Sequence, residues 1–579
     1  MPIWTKLGIL LLSGSLITGI CLVLIAVLWA VSLVPWWSKH WKGFLLVGGF
    51  LPAIFIALSA LLLVDNFTYT VFKFGIVSTV GIQRGLYGIG FLILLAAASG
   101  WMLRILIQKT RQKRLKYKLT VQTSLCAALV IISPLMAGSL YITDKSPASA
   151  EIASAGNNRP NILLIGSDGL LANHLSLYGS EQDTTPFLKS LAPTSLLAEN
   201  NFPNATITTG SIVSIFTSKP PIETRVIYPP NILHGADAID HLPGILKNAG
   251  YYNAEISVNY YVDPDVLNLQ NSFVMVNGDS NTIGRLYTFT RRYVPEDAAY
   301  FLSSIAKRIS DRVMQISYVR SMPDPYAEVS ENEKLSDMTD QDRLGMIKSL
   351  FRDIHQPLFI HAHLMGTHSA DTPAIYDDEV KTFDGTMRSL LADLQQMGKL
   401  DNTVIILYTD HGFGDVSDVR IPLMFHFPGG KLAGTITHNT QNLDIAPTIL
   451  DYLGIEPPAW MDGASLLKGE PPADRPIFSA APSFRADSEF HRLQLDLSKV
   501  KPPFYQFGTV GMVICQNWYA VDTASLTWQE DTIQGYPTPC SLKSLPSDRQ
   551  AQQIMLDQLS QNGFDVSTLK AALQKNQSN

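Results

Sequence analysis

Acidic residues are almost missing from the first quarter of the chain. Residues 1–142 contain 12 Lys and Arg but a single acid, Asp65, whereas residues 143–579 hold the other 32 basic and 49 acidic residues. The formal net charges are therefore +11 and −17, in agreement with −6 for the whole chain. Because phosphate neutralisation requires clustered Lys and Arg, the charge of the larger part argues against nucleic-acid binding.

Cysteine is also rare, with four in 579 residues. Cys21 and Cys126 fall in apolar runs and are predicted to be inert fillers there. Cys515 and Cys540 are the only cysteines in the rest of the chain, and no CxxC spacing suggests a metal site. Since exported pairs usually oxidise, we predict a Cys515–Cys540 disulfide rather than two free thiols. The chain also lacks internal repeats and low-complexity tracts.

Long apolar runs fill the first part of the chain. A bilayer core requires about 20 apolar residues per helix. Four runs approach or exceed this length: Leu7–Val34, Gly43–Val64, Leu86–Leu103 and Leu119–Ile142. Phe67–Ile82 is short and contains Lys73, so it is either a fifth span or a re-entrant or interfacial piece. We predict a transmembrane domain over residues 1–142 with four or five spans, which fits better than a buried soluble core or a cleaved signal peptide.

The loop from Arg104 to Lys118 carries seven positive charges and no acid. The positive-inside rule therefore predicts that this loop is cytoplasmic, and the next span then exits on the far side. A small, polar linker over residues 143–160 follows. The sequence thus predicts a multi-pass protein of the inner (plasma) membrane, with residues 161–579 on the periplasmic or extracellular side.

The exported part alternates short apolar runs with amphipathic stretches. Buried strands are predicted at Asn161–Gly166, Leu358–Leu364 and Thr403–Thr409. Helices are predicted at Pro186–Ala192, Leu242–Ala249, Phe383–Met397 and Leu443–Leu453. This alternation indicates an α/β fold with a mostly parallel sheet and helices on both faces. Residues 280–350 are charged and helix-like, and we interpret them as an insertion.

Polar clusters follow three of these strands, where ligands bind in open parallel sheets. They are Asp168, the segment His361–His368, and Asp410-His411-Gly412. Each has an ordinary explanation, because a lone Asp often caps a helix, Asp-His-Gly suits a turn, and His361 or His363 can be a hydrogen-bonded core histidine. Hydroxyl-rich Thr208-Thr-Gly-Ser211 is equally consistent with a helix cap.

Together, these residues indicate a metal centre. Carboxylates, imidazole and a hydroxyl oxygen suit a borderline divalent metal such as Zn²⁺ or Mn²⁺. A metal held by Asp168, Asp410 and His411 would lower the pKa of a coordinated Thr208 hydroxyl and make it a nucleophile. A threonine at a helix N-terminus also lies beside backbone N–H groups that receive phosphate or sulfate oxygens.

The same segments resemble the sulfatase branch of the alkaline phosphatase superfamily, in family order and over most of residues 159–470. Asp168-Gly-Leu-Leu-Ala-Asn-His-Leu-Ser-Leu-Tyr-Gly179 resembles its opening metal motif, and Thr208-Thr-Gly-Ser-Ile-Val-Ser-Ile-Phe-Thr217 its nucleophile motif. His363-Leu-Met-Gly-Thr-His368 resembles its substrate-binding histidine segment. Leu400-Asp-Asn-Thr-Val-Ile-Ile-Leu-Tyr-Thr-Asp-His-Gly412 resembles its second metal motif. The resemblance implies an alkaline phosphatase-like fold.

Several departures from the formylglycine sulfatases accompany the resemblance. Their nucleophile motif has Cys or Ser, then Pro and Arg, where this chain has Thr208, Gly210 and Ile212. Formylglycine cannot form from threonine. Their paired aspartates appear here as Asp168-Gly169, so one calcium ligand is missing, and their Gly-Lys-x-His sulfate segment is replaced by Ser257-Val-Asn-Tyr-Tyr261.

What remains is similar to the lipoteichoic acid synthase and phosphoethanolamine transferase group. Those proteins are multi-span, with an exported catalytic domain and a metal-bound Thr nucleophile; their first ligand is Glu, and here it would be Asp168. The resemblance implies one divalent metal, Zn or Mn rather than Ca, on Asp168, Thr208, Asp410 and His411. His368 is expected to contact the phosphoryl oxygens or protonate the leaving group, with His363 and His438 as secondary candidates.

The expected function is that of a metal-dependent membrane enzyme in which Thr208 attacks phosphodiester headgroups of the phosphoethanolamine or phosphoglycerol type. Its expected partners are a membrane lipid donor and a glycan or lipid acceptor, with no nucleic acid. Transfer and hydrolysis both stay open. Two other functions also stay open: a sulfatase-like sulfuric ester hydrolase, and a non-catalytic lipid-sensing or partner-binding protein that retains the fold.

Overall fold

The protein is described here from a computed structural model. The structure describes scattered helical positions between 50 and 64, residues 82–111 and residues 159–576. Within the last range it leaves out residues 229–230, 265–266, 281–292, 294–337, 371, 415, 488–491, 496–503, 505–506, 538–541 and 543. The chain divides into two compact units, residues 1–145 with 291–322, and residues 146–290 with 323–579. The predicted boundaries of the transmembrane domain, linker and exported domain stay a prediction.

One helix in the described part of the first unit, Ile82–Arg111, is long and apolar enough to cross a membrane. Its stretch Gly85–Arg104 contains the predicted span Leu86–Leu103, and none of that stretch is buried inside the protein. One such helix is weak support for a membrane domain, because a signal sequence has the same length and composition. The predicted spans Leu7–Val34 and Leu119–Ile142, and Phe67–Ile82 before its last residue, lie outside the described residues, as does most of Gly43–Val64. The multi-pass arrangement therefore stays a prediction.

A nine-stranded mixed sheet forms the centre of the second unit, in the order β5-β4-β3-β6-β1-β7-β8-β2-β9. Five of its eight neighbouring pairs are parallel, while β4–β5, β7–β8 and β8–β2 are antiparallel. The predicted α/β class is correct, with more antiparallel pairing than the apolar runs indicated. The strands are β1 (Asn161–Ser167), β2 (Leu196–Phe202), β3 (Tyr252–Ile256), β4 (Met275–Val276), β5 (Asp279–Ser280), β6 (Leu358–Leu364), β7 (Thr403–Tyr408), β8 (Ile421–His426) and β9 (Gly434–Gln441).

Helices cover both faces of this sheet, because its central strands are apolar on both sides. In β1, Ile162 and Leu164 belong to one buried cluster with the helices Thr208–Thr217, Leu242–Asn248 and Ile445–Tyr452. Leu163 and Ile165 belong to the opposite cluster. The helices of that second cluster are Pro186–Leu191, Asp340–Asp353 and Pro373–Gln396; two further short helices are Pro221–Thr224 and Asn259–Val262.

The helix Pro373–Gln396 begins ten residues before the predicted Phe383. Its first turn, Pro373-Ala-Ile-Tyr376, is mostly apolar, but the acidic residues 377–379 separate it from the apolar run that begins near Phe383. The start is instead defined by Thr372, whose Oγ1 accepts a hydrogen bond from the Ile375 N–H at 3.3 Å, and by Pro373 at the first helical position. Both are ordinary helix-start signals.

The C-terminal part forms a smaller sheet that the sequence analysis did not anticipate. Its four antiparallel strands pair in the order β10-β13-β14-β15, and β11 pairs with β12 separately. The strands are β10 (Ile477–Pro482), β11 (Phe484–Asp487), β12 (Arg492–Leu495), β13 (Phe507–Ile514), β14 (Asn517–Asp522) and β15 (Thr527–Thr532); the helices Asp548–Gln561 and Ser567–Asn576 follow. Cys515 is buried beside β13, whereas Cys540 lies outside the described residues, so their disulfide stays a prediction.

A buried histidine gives the second unit a defined dependence of stability on pH. The His241 Nδ1 accepts a hydrogen bond from the Gly244 N–H at 3.0 Å, and its Nε2–H donates to the Gln270 carbonyl at 2.8 Å. Burial lowers the pKa of His241 from 6.5 to about 4. The neutral ring therefore caps the helix Leu242–Asn248, and protonation of Nδ1 would break this cap.

We expect stability to fall as the pH is lowered from about 6.5 to about 4. In that window His241 is protonated in the unfolded state but not in the folded state. The free energy of unfolding therefore falls by about 3 kcal/mol across the window. Thermal unfolding of the purified protein at several pH values measures this loss. In His241→Asn, which retains a capping side chain without a titrating group, the pH dependence should be shallower; equal slopes in both proteins would contradict the assignment.

Candidate metal centre

Three adjacent strands bring the chemically active segments together. In the order β6-β1-β7, Gly166 of β1 pairs in register with His363 of β6 and with Tyr408 of β7. Asp168 and Asp410 therefore follow the ends of two adjacent strands, β1 and β7, at the same level of the sheet. The helix Thr208–Thr217 begins over this edge, and its first residue approaches the same point.

Asp168, Asp410 and His411 form a compact group of metal-ligating side chains. Their ligand atoms all lie within 4.8 Å of one another, and all three residues are buried. The His411 Nε2 is 3.3 Å from the Asp410 Oδ2 and 3.8 Å from the Asp168 Oδ1. The structure thus brings together three of the residues that the sequence placed on a metal.

The Asp410 carboxylate is the strongest indication that this group of residues binds a cation. Its side chain is completely buried, and neither of its oxygens has a hydrogen-bond partner among the described residues. Burying a carboxylate in this way is costly unless a cation compensates it. Carboxylate and imidazole donors fit a divalent metal of the Zn²⁺ or Mn²⁺ type, so the residues present fit the metal that the sequence implies.

The backbone orients His411 for metal binding. Its Nδ1 lies 3.0 Å from the Gly412 carbonyl oxygen, so Nδ1 carries the proton and donates it. The lone pair is then on Nε2, which faces the two carboxylates. Holding the distal nitrogen of a histidine in this way is the usual means of fixing a ligand's tautomer.

Thr208 is the first residue of its helix and lies against the acidic group. Its Oγ1 is 3.4 Å from the His411 Nε2, and the residue is 7% exposed. The N-cap position belongs to Ile207, which has no capping side chain. The helix-cap explanation for the hydroxyl-rich segment is therefore not what the geometry favours.

The neighbouring hydroxyls have other partners. The Thr209 Oγ1 donates to the Tyr261 carbonyl at 2.9 Å, away from the carboxylates. The Ser211 Oγ donates to the Asp410 carbonyl at 2.6 Å. Ser211 therefore fixes the backbone of a candidate ligand rather than capping the helix.

His368 lies at the open side of the group. It belongs to the 3₁₀ turn Gly366–Ser369, its side chain is 47% exposed, and its Nδ1 is 3.4 Å from the Asp168 Oδ2. Contact with this carboxylate raises the pKa of His368. A partly exposed imidazole with a raised pKa suits the proton-donor role that the resemblance implies for it.

The charges around Asp168 keep it ionised. Burial alone would raise the pKa of Asp168, but the neighbouring His411, His363 and His368 outweigh burial and lower it. The same carboxylate therefore contacts three imidazoles, which is an unusual density of titratable groups for a buried site. Such clusters occur preferentially at functional sites.

The backbone explains why no second acid follows Asp168. Gly169 has φ +68°, in the left-handed region, and a Cβ added there would lie 3.0 Å from the Thr367 Oγ1. That hydroxyl already donates to the Asp168 carbonyl at 2.7 Å. A carboxylate at position 169 would thus be both strained and crowded.

Two of the sequence-highlighted histidines lie in other networks. The His361 Nδ1 is 2.7 Å from the Glu255 Oε1, and its Nε2 is 2.5 Å from the Tyr408 hydroxyl, with all three residues buried. His438 contacts the Pro471 carbonyl at 2.8 Å and Glu470 at 3.2 Å. The sequence analysis missed Glu255 and Tyr408, although a glutamate within the apolar strand β3 was an available signal.

This fold, with an acid, an Asp-His pair and a helix-terminal threonine at one edge of the sheet, defines an alkaline phosphatase-like α/β protein. The Sulfatase family model matches residues 160–455, slightly more than half of the chain. The chain belongs to the sulfatase family.

Two curated relatives illustrate the range of the family. N-acetylgalactosamine-6-sulfatase of Homo sapiens is 26% identical over 377 residues, which cover 56% of this chain and 69% of that protein. Multifunctional alkaline phosphatase superfamily protein PehA of Trinickia caryophylli is 34% identical over 108 residues, covering 16% of this chain and 21% of that protein. Coverage of other curated relatives runs from 20% to 70% of their lengths.

A solved structure with a similar fold is the phosphonate monoester hydrolase of Silicibacter pomeroyi. It is 17% identical, with a TM-score of 0.48, and the match covers 71% of this chain and 97% of that one. At that TM-score, the likeness carries no argument about activity.

Proposed function

We propose that this protein is a metal-dependent membrane enzyme in which Thr208 attacks the phosphorus of a lipid phosphodiester headgroup. The observation that carries this proposal is the position of the Thr208 Oγ1, 3.4 Å from the His411 Nε2 and close to the buried Asp410 carboxylate, which has no hydrogen-bond partner among the described residues. A hydroxyl in that position is where a metal-activated nucleophile has to be.

Asp168, Asp410, His411 and Thr208 would hold the metal. When bound, the metal lowers the pKa of the Thr208 hydroxyl and places positive charge next to the phosphoryl oxygens. The fixed ring of His411 and the backbone hydrogen bond from Ser211 to Asp410 pre-position the donors. The uncapped N–H groups of the first helical turn point to the side on which an anion would be received.

The proposed reaction has two steps. Thr208 loses its hydroxyl proton to solvent, its Oγ forms a bond to phosphorus, and the bond from phosphorus to the lipid oxygen breaks. His368 donates its proton to that leaving oxygen, which its exposed position at the mouth allows. Water or an acceptor hydroxyl then attacks the phosphorus of the Thr208 adduct, and the threonine oxygen leaves and is reprotonated.

Threonine at position 208 favours phosphorus chemistry over the sulfate chemistry of formylglycine enzymes. Oxidation of a secondary hydroxyl gives a ketone, so position 208 cannot supply the aldehyde. The crowded left-handed backbone of Gly169 likewise disfavours the second acid of a calcium site. A sulfatase-like sulfuric ester hydrolase remains the second candidate function, because the human relative is named as a sulfatase.

A lipid donor is proposed because the helix Ile82–Arg111 contains an exposed apolar stretch of membrane-spanning length. An enzyme anchored next to the bilayer holds its site near the headgroups. On this proposal the catalytic unit lies on the periplasmic or extracellular side of the inner membrane, and a glycan or a second lipid supplies the acceptor hydroxyl.

A substrate comparison tests the proposed activity. The purified full-length protein in detergent, loaded with Zn²⁺ or Mn²⁺, is given a chromogenic phosphodiester, a phosphonate monoester and an aryl sulfate. We expect the phosphorus esters to be turned over at least about 100-fold faster than the sulfate, a range that differential transition-state binding reaches.

Vesicles of phosphatidylethanolamine or phosphatidylglycerol then test the lipid donor through release of diacylglycerol. Preferred turnover of the sulfate would replace the proposal by the sulfatase alternative. Bound metal without turnover of any of these esters would favour the non-catalytic, lipid-sensing alternative.

A further inference from the structure

His363 is a buried histidine without hydrogen bonds. It lies near the end of β6, its side chain is 0% exposed, and neither ring nitrogen has a hydrogen-bond partner among the described residues. An imidazole always has at least one donor or acceptor to satisfy, so burying one in this state costs free energy. The cost indicates that the ring is placed to bind a further group.

The position of the Nε2 shows where this group belongs. It is 3.6 Å from the Asp410 Oδ2 and 3.8 Å from the Asp168 Oδ2. These distances are too long for hydrogen bonds. Atoms bound to one metal at about 2.0–2.1 Å are about 3–3.4 Å from one another, so the spacing is close to that of co-ligands.

A comparison with His361 shows that the lack of partners is local. The two histidines are on the same face of β6, two residues apart, and both are fully buried. Yet both nitrogens of His361 are paired, with Glu255 and with Tyr408. His361 therefore has protein partners on both ring nitrogens. His363, at the level of the carboxylates, instead directs its Nε2 towards Asp410.

We propose that His363 is a direct ligand of the divalent metal through its Nε2, an inference that rests on the metal centre of the proposed function. The imidazole supplies the ligand that Gly169, with its φ of +68°, cannot provide. Replacing a hard oxygen by a nitrogen shifts the preference of the site from Ca²⁺ towards Zn²⁺. The chain would thus hold its metal with two carboxylates, two imidazoles and the Thr208 hydroxyl.

Metal titration of the purified full-length protein tests this ligand. Metal-free protein is titrated with Zn²⁺ in competition with a chromophoric chelator, and with Co²⁺ by visible absorption. We expect His363→Ala to weaken Zn²⁺ binding at least about 100-fold, since even outer-shell changes cost 10–100-fold, and to change the Co²⁺ spectrum. His363→Asp should raise the affinity for Ca²⁺ relative to Zn²⁺.

His368→Ala is the matched control, because His368 approaches the same Asp168 oxygen at 3.4 Å from the exposed side. As an outer-shell contact of Asp168, its loss should weaken Zn²⁺ binding less than the loss of His363 does, and should leave the Co²⁺ spectrum close to that of the unmodified protein. If the His363 variants do not fold, proton NMR of the unmodified Co²⁺ protein decides by the number of shifted imidazole N–H signals. Our proposal requires two, from His363 and His411.

The outcomes separate this proposal from the one it rests on. Unchanged Zn²⁺ affinity and Co²⁺ spectrum in folded His363→Ala, or a single shifted imidazole signal, would overturn the ligand role and leave the metal centre in place. Absence of any bound metal in the unmodified protein would instead remove both. A changed Co²⁺ spectrum and a larger loss of Zn²⁺ affinity in His363→Ala than in His368→Ala support the ligand assignment.

Discussion

Thr208→Ala is expected to lower turnover by about 10³-fold or more, because the variant lacks the atom that forms the covalent adduct. The Thr208 Oγ1 is the hydroxyl 3.4 Å from the His411 Nε2. Folding and some metal binding should remain, since Asp168, Asp410 and His411 are untouched. Mass spectrometry after incubation with substrate should find the phospho-adduct on Thr208 in the unmodified protein and on no peptide of the variant.

Thr209→Ala is the control for this experiment, since the Thr209 Oγ1 donates to the Tyr261 carbonyl at 2.9 Å and faces away from the carboxylates. It should retain substantial activity. Thr208→Ser, which restores a hydroxyl, should recover part of the turnover. A dead Thr209→Ala beside a fully active Thr208→Ala would show that the nucleophile is one residue further along the helix.

Asp410→Asn is expected to abolish metal retention and, with it, turnover. The Asp410 carboxylate is buried, lies 3.3 Å from the His411 Nε2 and has no hydrogen bond among the described residues. A neutral amide cannot replace its charge. A free metal concentration of 100 times the dissociation constant stabilises the folded protein by about 2.7 kcal/mol. Zn²⁺ should therefore raise the melting temperature of the unmodified protein and leave that of the variant unchanged.

Asp444→Asn provides the matched control for a buried carboxylate. Asp444 is fully buried like Asp410, but its Oδ2 is 2.6 Å from the Arg475 Nη2. Removing its charge should lower the melting temperature equally with and without metal and leave the metal content intact. Retention of stoichiometric metal by Asp410→Asn would exclude the proposed ligand set.

The sequence was sufficient where local patterns carry the information. Continuous apolar runs located β1, β6 and β7 to within a residue, because strands covered on both faces have no polar side. The helix Pro373–Gln396 was placed too late, since the acidic residues 377–379 separate its apolar first turn from the apolar run near Phe383. The C-terminal sheet β10-β13-β14-β15 was missed altogether.

For the candidate site, too, the sequence was sufficient for some features and not for others. The residue types and their order along the chain identified Asp168, Thr208, Asp410 and His411 as possible ligands before any distance was known. The sequence could not choose between a helix cap and a nucleophile for Thr208, because both use a hydroxyl at a helix start. The structure favours the second by leaving the N-cap to Ile207 and placing the Thr208 Oγ1 beside His411.

By itself, the sequence determined the family and the α/β class, and it proposed the residues of the metal centre. Only the tertiary structure decided which of two histidines in β6 faces the carboxylates: His361 pairs with Glu255 and Tyr408, whereas His363 faces Asp168 and Asp410. It also gave Gly169 the left-handed backbone that excludes a second acid. The physical reason is that these distances depend on strand order and register between segments about 200 residues apart, which no local pattern encodes.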